Sequence, residues 1–183
     1  MEEQRPTGNT YEFNNKDFLN SFIGVMKTVL VKPVDFFEHM ATIGGYAPPF
    51  YFLAVCLGIS GVLAAIINGV DVFLFLKFVI FGAIFSFIGA GILHLIAKQF
   101  FEGKGGYEGV YRVVAYAGVV NLLTWIPFVG FIAFLYGLYL QIVGLEKVHK
   151  ITAGQAVVTV LIAFAIYLIM ALVVGGVYLG IRF

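Results

Sequence analysis

The stretch YRVVAYAGVVNLLTWIPFVGFIAFLYGLYLQIVGL, residues 111–145, decides how the chain is threaded. It is almost wholly apolar and too long for one ordinary membrane crossing, which takes about 20 residues. It is also interrupted at Trp125-Ile126-Pro127-Phe128-Val129-Gly130, where proline stops or kinks a helix. Dividing it at Pro127 leaves two arms, 111–126 and 128–145, of about 16 to 18 residues, or about 25 Å each by helical rise. Such arms make either two short crossings or a re-entrant hairpin that dips into the bilayer and returns. We read them as two crossings.

Working outward, residues 49–67 and 72–97 form two further apolar runs. Their link, Asn68-Gly69-Val70-Asp71, is turn-forming and too short to hold a domain. A fifth run covers 153–181. Unpaired backbone groups in lipid cost several kcal/mol each, so these runs must be helices, and the alternating segments of about ten residues that build a barrel are absent. The expected fold is therefore all-α: a polytopic membrane helix bundle of five transmembrane helices over 49–183, preceded by an interfacial amphipathic segment over 17–48 and a polar tail over 1–16. Composition agrees. The chain is 61% hydrophobic and 11% charged, with a mean hydropathy of +1.00, against about 25% charged in soluble domains. A soluble core could not hide that much apolar surface.

Charge orients the bundle. Arg5, Lys16, Lys27, Lys32, Lys98, Lys104, Arg112, Lys147 and Lys150 fall on one side of the five-span threading, and Lys77 and Arg182 on the other. The positive-inside rule puts the nine in the cytoplasm, with the N terminus cytoplasmic and the C terminus external. The first 21 residues lack the basic start, apolar run and small-residue cleavage site of a secretory signal, so insertion is expected to begin with the first internal span. Cys56 is the single cysteine, which precludes a disulfide within one chain.

In the segment before the first span, Phe18, Phe22, Val25, Met26 and Val29 recur at three- and four-residue intervals among polar residues. That spacing predicts an amphipathic helix with Asn15 or Asp17 as N-cap, broken at Lys32-Pro33 and followed by a shorter piece over 34–40. Its apolar face lies on the membrane interface or packs on the protein's own spans. Lys16, Lys27 and Lys32 are too few for an anionic-lipid patch, which takes a cluster of about 4 to 8 cations.

Small residues recur four apart within the spans, at Ala54 and Gly58, at Gly82, Ser86 and Ala90, at Ala133 and Gly137, at Ala171 and Gly175, and at Gly176 and Gly180. This spacing lets helices approach closely within one bundle, or joins two copies in a homo-oligomer through the last span. Asn68, Asn121 and Gln141 read as interhelical hydrogen-bonding groups, and Lys77 as a side chain that snorkels outward. No ladder of Asp or Glu crosses the spans, and matched broken helices, the mark of many transporters, are missing.

All three histidines fall toward the basic side. Asp35, Glu38 and His39 share a helix face; His94 ends the second span; Glu146 and His149 are spaced i, i+3 after the fourth. Glu-x-x-His pairs brought together across a bundle can ligate a divalent metal, and this donor set suits zinc or a harder transition ion. The alternative is that these groups bond loop backbone or pair with Lys and Arg. No catalytic residue and no organic cofactor is indicated, and no basic stripe with interleaved aromatics points to nucleic acid.

The order Lys32-Pro33, Phe36-Phe37, His94, Phe101-Glu102-Gly103-Lys104-Gly105-Gly106-Tyr107, Tyr111-Arg112, Tyr116, Ile126-Pro127, Gly144-Leu145, His149, Ile151 and Ala156 resembles the Yip domain family. These are Ypt- or Rab-interacting membrane proteins and their prokaryotic relatives. The resemblance implies five spans, a cytoplasmic N terminus and no catalytic residue. It also implies an association with Rab GTPases, vesicle budding and organelle membrane shape. The short polar head, about 16 residues before the interfacial helix, departs from the eukaryotic pattern and points to a prokaryotic cell membrane. Three function classes follow: a non-enzymatic membrane scaffold or adaptor, a small oligomeric channel or transporter working through Asn121 and Gln141, and a metal-binding membrane protein or enzyme with its site at the cytoplasmic edge.

Overall fold

A computed structural model describes residues 11–68 and 72–178, all strands being absent among them. The charges at Arg5, Asp71 and Arg182, the Gly180 end of the last small-residue pair and the Asn68 side chain lie outside the described residues. Among the described residues seven α-helices follow one another: α1 Phe18–Val31, α2 Pro33–His39, α3 Ala47–Asn68, α4 Val72–Phe101, α5 Tyr107–Ala117, α6 Val129–His149 and α7 Ala153–Tyr178. Among the described residues four segments are long and apolar enough to cross a membrane: Ala47–Ile67, Phe75–Phe101, Val129–His149 and Ala153–Val173.

The expected span over 111–126 is not among them. Its place is taken by α5, of 11 residues, and a 3-10 helix, Gly118–Leu123. The physical reason is side-chain competition for backbone acceptors three residues back. The Asn121 amide donates to Gly118 O at 2.8 Å, the Thr124 hydroxyl to Asn121 O at 2.9 Å and the Trp125 indole N–H to Leu122 O at 2.8 Å. Asn121 thus bonds within its own element rather than across helices. Pro127 then ends the run, and the turn closes on itself through Val129 N–H to Pro127 O at 2.8 Å and Gly130 N–H to Ile126 O at 2.7 Å.

The amphipathic pattern at the N terminus forms α1, whose Phe22, Val25 and Val29 are buried. They pack on the protein's own helices, Phe22 reaching Phe52 of α3 with ring centroids 5.2 Å apart. Leu19 and Ile23, flanking that stripe, stay 68% and 50% exposed. Of the two expected caps, Asp17 precedes α1 without a side-chain cap bond; the cap that forms is Asn14, which accepts from Lys16 N–H at 3.0 Å and opens a short 3-10 turn. Lys32-Pro33 breaks the helix as the sequence predicts, and the exposed carbonyl of Leu30 is taken by the Tyr136 hydroxyl at 2.7 Å.

Small residues serve contacts inside the bundle. A Cβ on Gly82 would meet Leu57 at 3.0 Å, and one on Gly137 would meet Val120 at 3.0 Å. Gly144 lies directly against Val113. Burial is uneven along the molecule. The ends of α4 and α6 that meet α1, α2 and α5 carry the core, including Leu93, Tyr111, Tyr116, Leu140, Leu145 and Phe36. The opposite stretches, 73–88 of α4, 128–135 of α6 and 157–173 of α7, expose their large apolar side chains. In water this would be untenable; in a bilayer it is the lipid-facing band.

Candidate functional site

At the well-packed end of the bundle a guanidinium is removed from solvent. Arg112, on α5, is 0% exposed. Its Nη1 lies 2.7 Å from Glu12 Oε1 and its Nε 3.3 Å from Glu108 Oε1, while Nη2 donates to Gly45 O at 2.8 Å. Glu108 Oε1 also accepts the Gly45 N–H at 2.6 Å. Three segments distant in sequence, carrying Glu12, Gly45 and the Glu108–Arg112 turn of α5, therefore meet on one side chain. Phe13 N–H donates to the buried Tyr116 hydroxyl at 3.1 Å, fixing the N-terminal segment one helical turn further along α5.

The histidines divide. His39 is exposed beside Asp35, its Nδ1 3.3 Å from Asp35 Oδ1. Asp35 accepts the Tyr11 hydroxyl at 2.9 Å, and this hydrogen bond to a carboxylate holds the phenol above its ordinary value of 10. Glu38 pairs with Lys147 at 3.6 Å, and Glu146 with Lys147 at 3.9 Å. His94 and His149 instead stack in the interior with ring centroids 5.3 Å apart. The six expected metal donors thus fall into an exposed Asp35–His39 pair, two lysine-paired glutamates and a stacked histidine pair. Among the described residues no three His, Cys, Asp or Glu side chains are grouped to hold a metal ion.

His149 organises the glycine-rich loop. Its Nδ1 accepts from Gly105 N–H at 3.2 Å and its carbonyl from Lys104 N–H at 2.9 Å. The loop approaches so closely that a Cβ on Gly103 would fall into the His149 ring, and one on Gly105 would sit 2.6 Å from the Val148 carbonyl oxygen. This contact explains the glycines at 103 and 105; a Cβ on Gly106 would meet nothing within 4 Å. With Nδ1 accepting, a neutral His149 carries its proton on Nε2, and neither that atom nor His94 Nδ1 finds a partner among the described residues.

The loop also builds one wall of a cavity of about 510 Å³, between α2, residues 42–43, the start of α5 and the end of α6. Lys104, Lys147 and Lys150 line it with Glu38 and Glu108. Lys150 ends α6 in a left-handed conformation, φ 57°. Farther along the bundle, two cavities of about 490 and 290 Å³ both touch Val114 and Gln141, the larger bordered by the exposed Phe85 and Met170. Gln141, expected to bond across helices, faces these cavities instead.

Sequence spacing pointed to the histidines and carboxylates and missed both Arg112 as a hub and the convergence of the three lysines. The available signal was the lone arginine of α5, eight residues after Lys104.

A family model described as the Yip1 domain matches residues 27–175. No curated protein matches the chain. No solved structure matches it.

Proposed function

The chain belongs to the Yip1 domain family and is an integral membrane protein, and we propose that it acts as a non-enzymatic scaffold that occupies one leaflet more fully than the other. The observation that carries this reading is the unequal reach of its helices. Leu57, Phe78 and Thr124 border one cavity, so the turn between the 3-10 helix and α6 lies level with the middle of α3 and the second turn of α4. From that level α3 continues to Asn68, about 16 Å farther, and α4 begins at Val72, about 9 Å farther, by helical rise. On the other side Phe134 of α6 meets Phe164 of α7. α6 starts at Val129, about 8 Å beyond that pair, whereas α7 runs to Tyr178, about 21 Å beyond it.

In this reading α3, α4 and α7 cross, and α5, the 3-10 helix and α6 form a re-entrant hairpin whose tip ends near the bilayer midplane. The tip, Thr124 to Gly130, carries no ionisable group, and its polar side chains are bonded internally, as irregular backbone in hydrocarbon requires. Three crossings leave the termini on opposite sides, as five would. The positive-inside rule applied to the described cations puts the Arg112 end in the cytoplasm. α1 and α2 then add volume to the cytoplasmic leaflet, with Leu19 and Ile23 turned to lipid.

A protein of this shape favours membrane that is convex on the cytoplasmic side. Density on tubules drawn from giant vesicles, relative to the flat membrane, tests it. Enrichment is expected with the Arg112 end outward, reduced by Leu19→Asp with Ile23→Asp. Equal density on tubule and flat membrane would contradict it. A second reading, a small channel or transporter, is favoured by one observation, the two cavities sharing Gln141. Solute flux into proteoliposomes that Gln141→Leu abolishes would support it; absence of flux would remove it.

A further inference from the structure

We propose that the lysine-lined cavity at the end of α6 binds a phosphate head group at the membrane interface. Five charged side chains face it: Lys104, Lys147, Lys150, Glu38 and Glu108. The two carboxylates are already engaged. Glu108 sits 3.3 Å from Arg112 Nε and accepts the Gly45 N–H. Glu38 is 3.6 Å from Lys147. Lys104 and Lys150 have no carboxylate within ion-pair distance among the described residues. Two exposed lysines are thereby left lining one cavity without a carboxylate partner among the described residues, where one anion can meet both.

Backbone adds to the same potential. α5 opens at Gly106, which lines the cavity and offers no side-chain cap, so the first amides of an 11-residue helix are without side-chain partners there. The lysines are held rather than scattered. His149 fixes the Lys104 backbone through its carbonyl, and the left-handed Lys150 follows at the end of the same helix. The remaining wall is apolar, with Phe37, Met40 and Val148. A phosphate carrying a glycerol or acyl portion matches both walls, and about 510 Å³ lies within the range of small-ligand cavities. The same chemistry could come from a phospholipid or from a soluble phosphate compound.

The test compares purified protein in nanodiscs of phosphatidylcholine alone and with phosphatidic acid, reading bound lipid by native mass spectrometry and thermal stability. Inorganic phosphate and glycerol 3-phosphate form separate arms. Retention of phosphatidic acid with a raised midpoint is expected, falling at least tenfold in affinity in Lys104→Gln with Lys150→Gln. Glu38→Gln, at an exposed site, should tighten binding. A stronger effect of the soluble phosphates than of phosphatidic acid would support the site and assign it to a soluble ligand. No difference among lipids together with no response to phosphate would overturn it. So would an equal loss in Lys16→Gln with Lys27→Gln, which removes the same charge away from the cavity.

Discussion

A buried guanidinium costs several kcal/mol unless its donors are met, and Arg112 meets that cost with two carboxylates and a backbone carbonyl from separate segments. Removing it leaves Glu12 and Glu108 without their shared cation and takes away one of the anchors of the N-terminal segment. Arg112→Met should lower stability in detergent by about 3 kcal/mol, the low end for a broken buried pair because both glutamates keep some solvent. Chemical unfolding measures this. Lysine should not rescue it, since one ammonium cannot reach three directions at once. Gly105 makes a second claim at this scale. Because the group its Cβ would strike is the Val148 backbone carbonyl, which cannot rotate away, Gly105→Ala should cost about 1–3 kcal/mol. A fully stable alanine variant, measured by the same unfolding assay, would show that the loop does not rest on His149.

Among the elements, α3, α4 and α7 were legible because nothing in them competes with helix, and lipid leaves no other state available. The break at Lys32-Pro33 and the buried stripe of α1 were legible for the same reason: the spacing of apolar residues and the missing proline N–H each act locally. The region 107–129 was not. Its apolar length suggested a span, but Asn121, Thr124 and Trp125 turn their donors onto carbonyls three residues back and tighten the chain into 3-10 form. That choice depends on side-chain rotamers, which periodicity does not carry. The functional end was less legible still. The Glu-x-x-His spacing was real, yet Glu146 turned to Lys147 while His149 turned inward to the glycine loop. That Lys104 and Lys150 line one cavity depends on that loop's path, to which sequence separation gives no guide.

For the whole molecule, the decisive quantity is where the α5–α6 turn sits relative to the bilayer. If it ends near the midplane, α1, α2, α5 and most of α6 crowd one leaflet, and the molecule is a wedge. If it reaches the far surface, the two leaflets hold similar numbers of helices and the shape argument for scaffolding fails. Terminus mapping does not separate the two, because both threadings leave the ends on opposite sides. The sequence supplies its own probe. Trp125 is the single tryptophan of the chain and lies in the turn, its indole N–H bonded to Leu122 O rather than needing the head-group region. Its fluorescence in bilayers whose acyl chains are brominated at graded depths measures its position directly. Strongest quenching by mid-chain bromines, with little effect of an aqueous quencher on either side, is the result the wedge predicts. Strongest quenching near the head groups, together with quenching by iodide added to the side opposite Arg112, would contradict it.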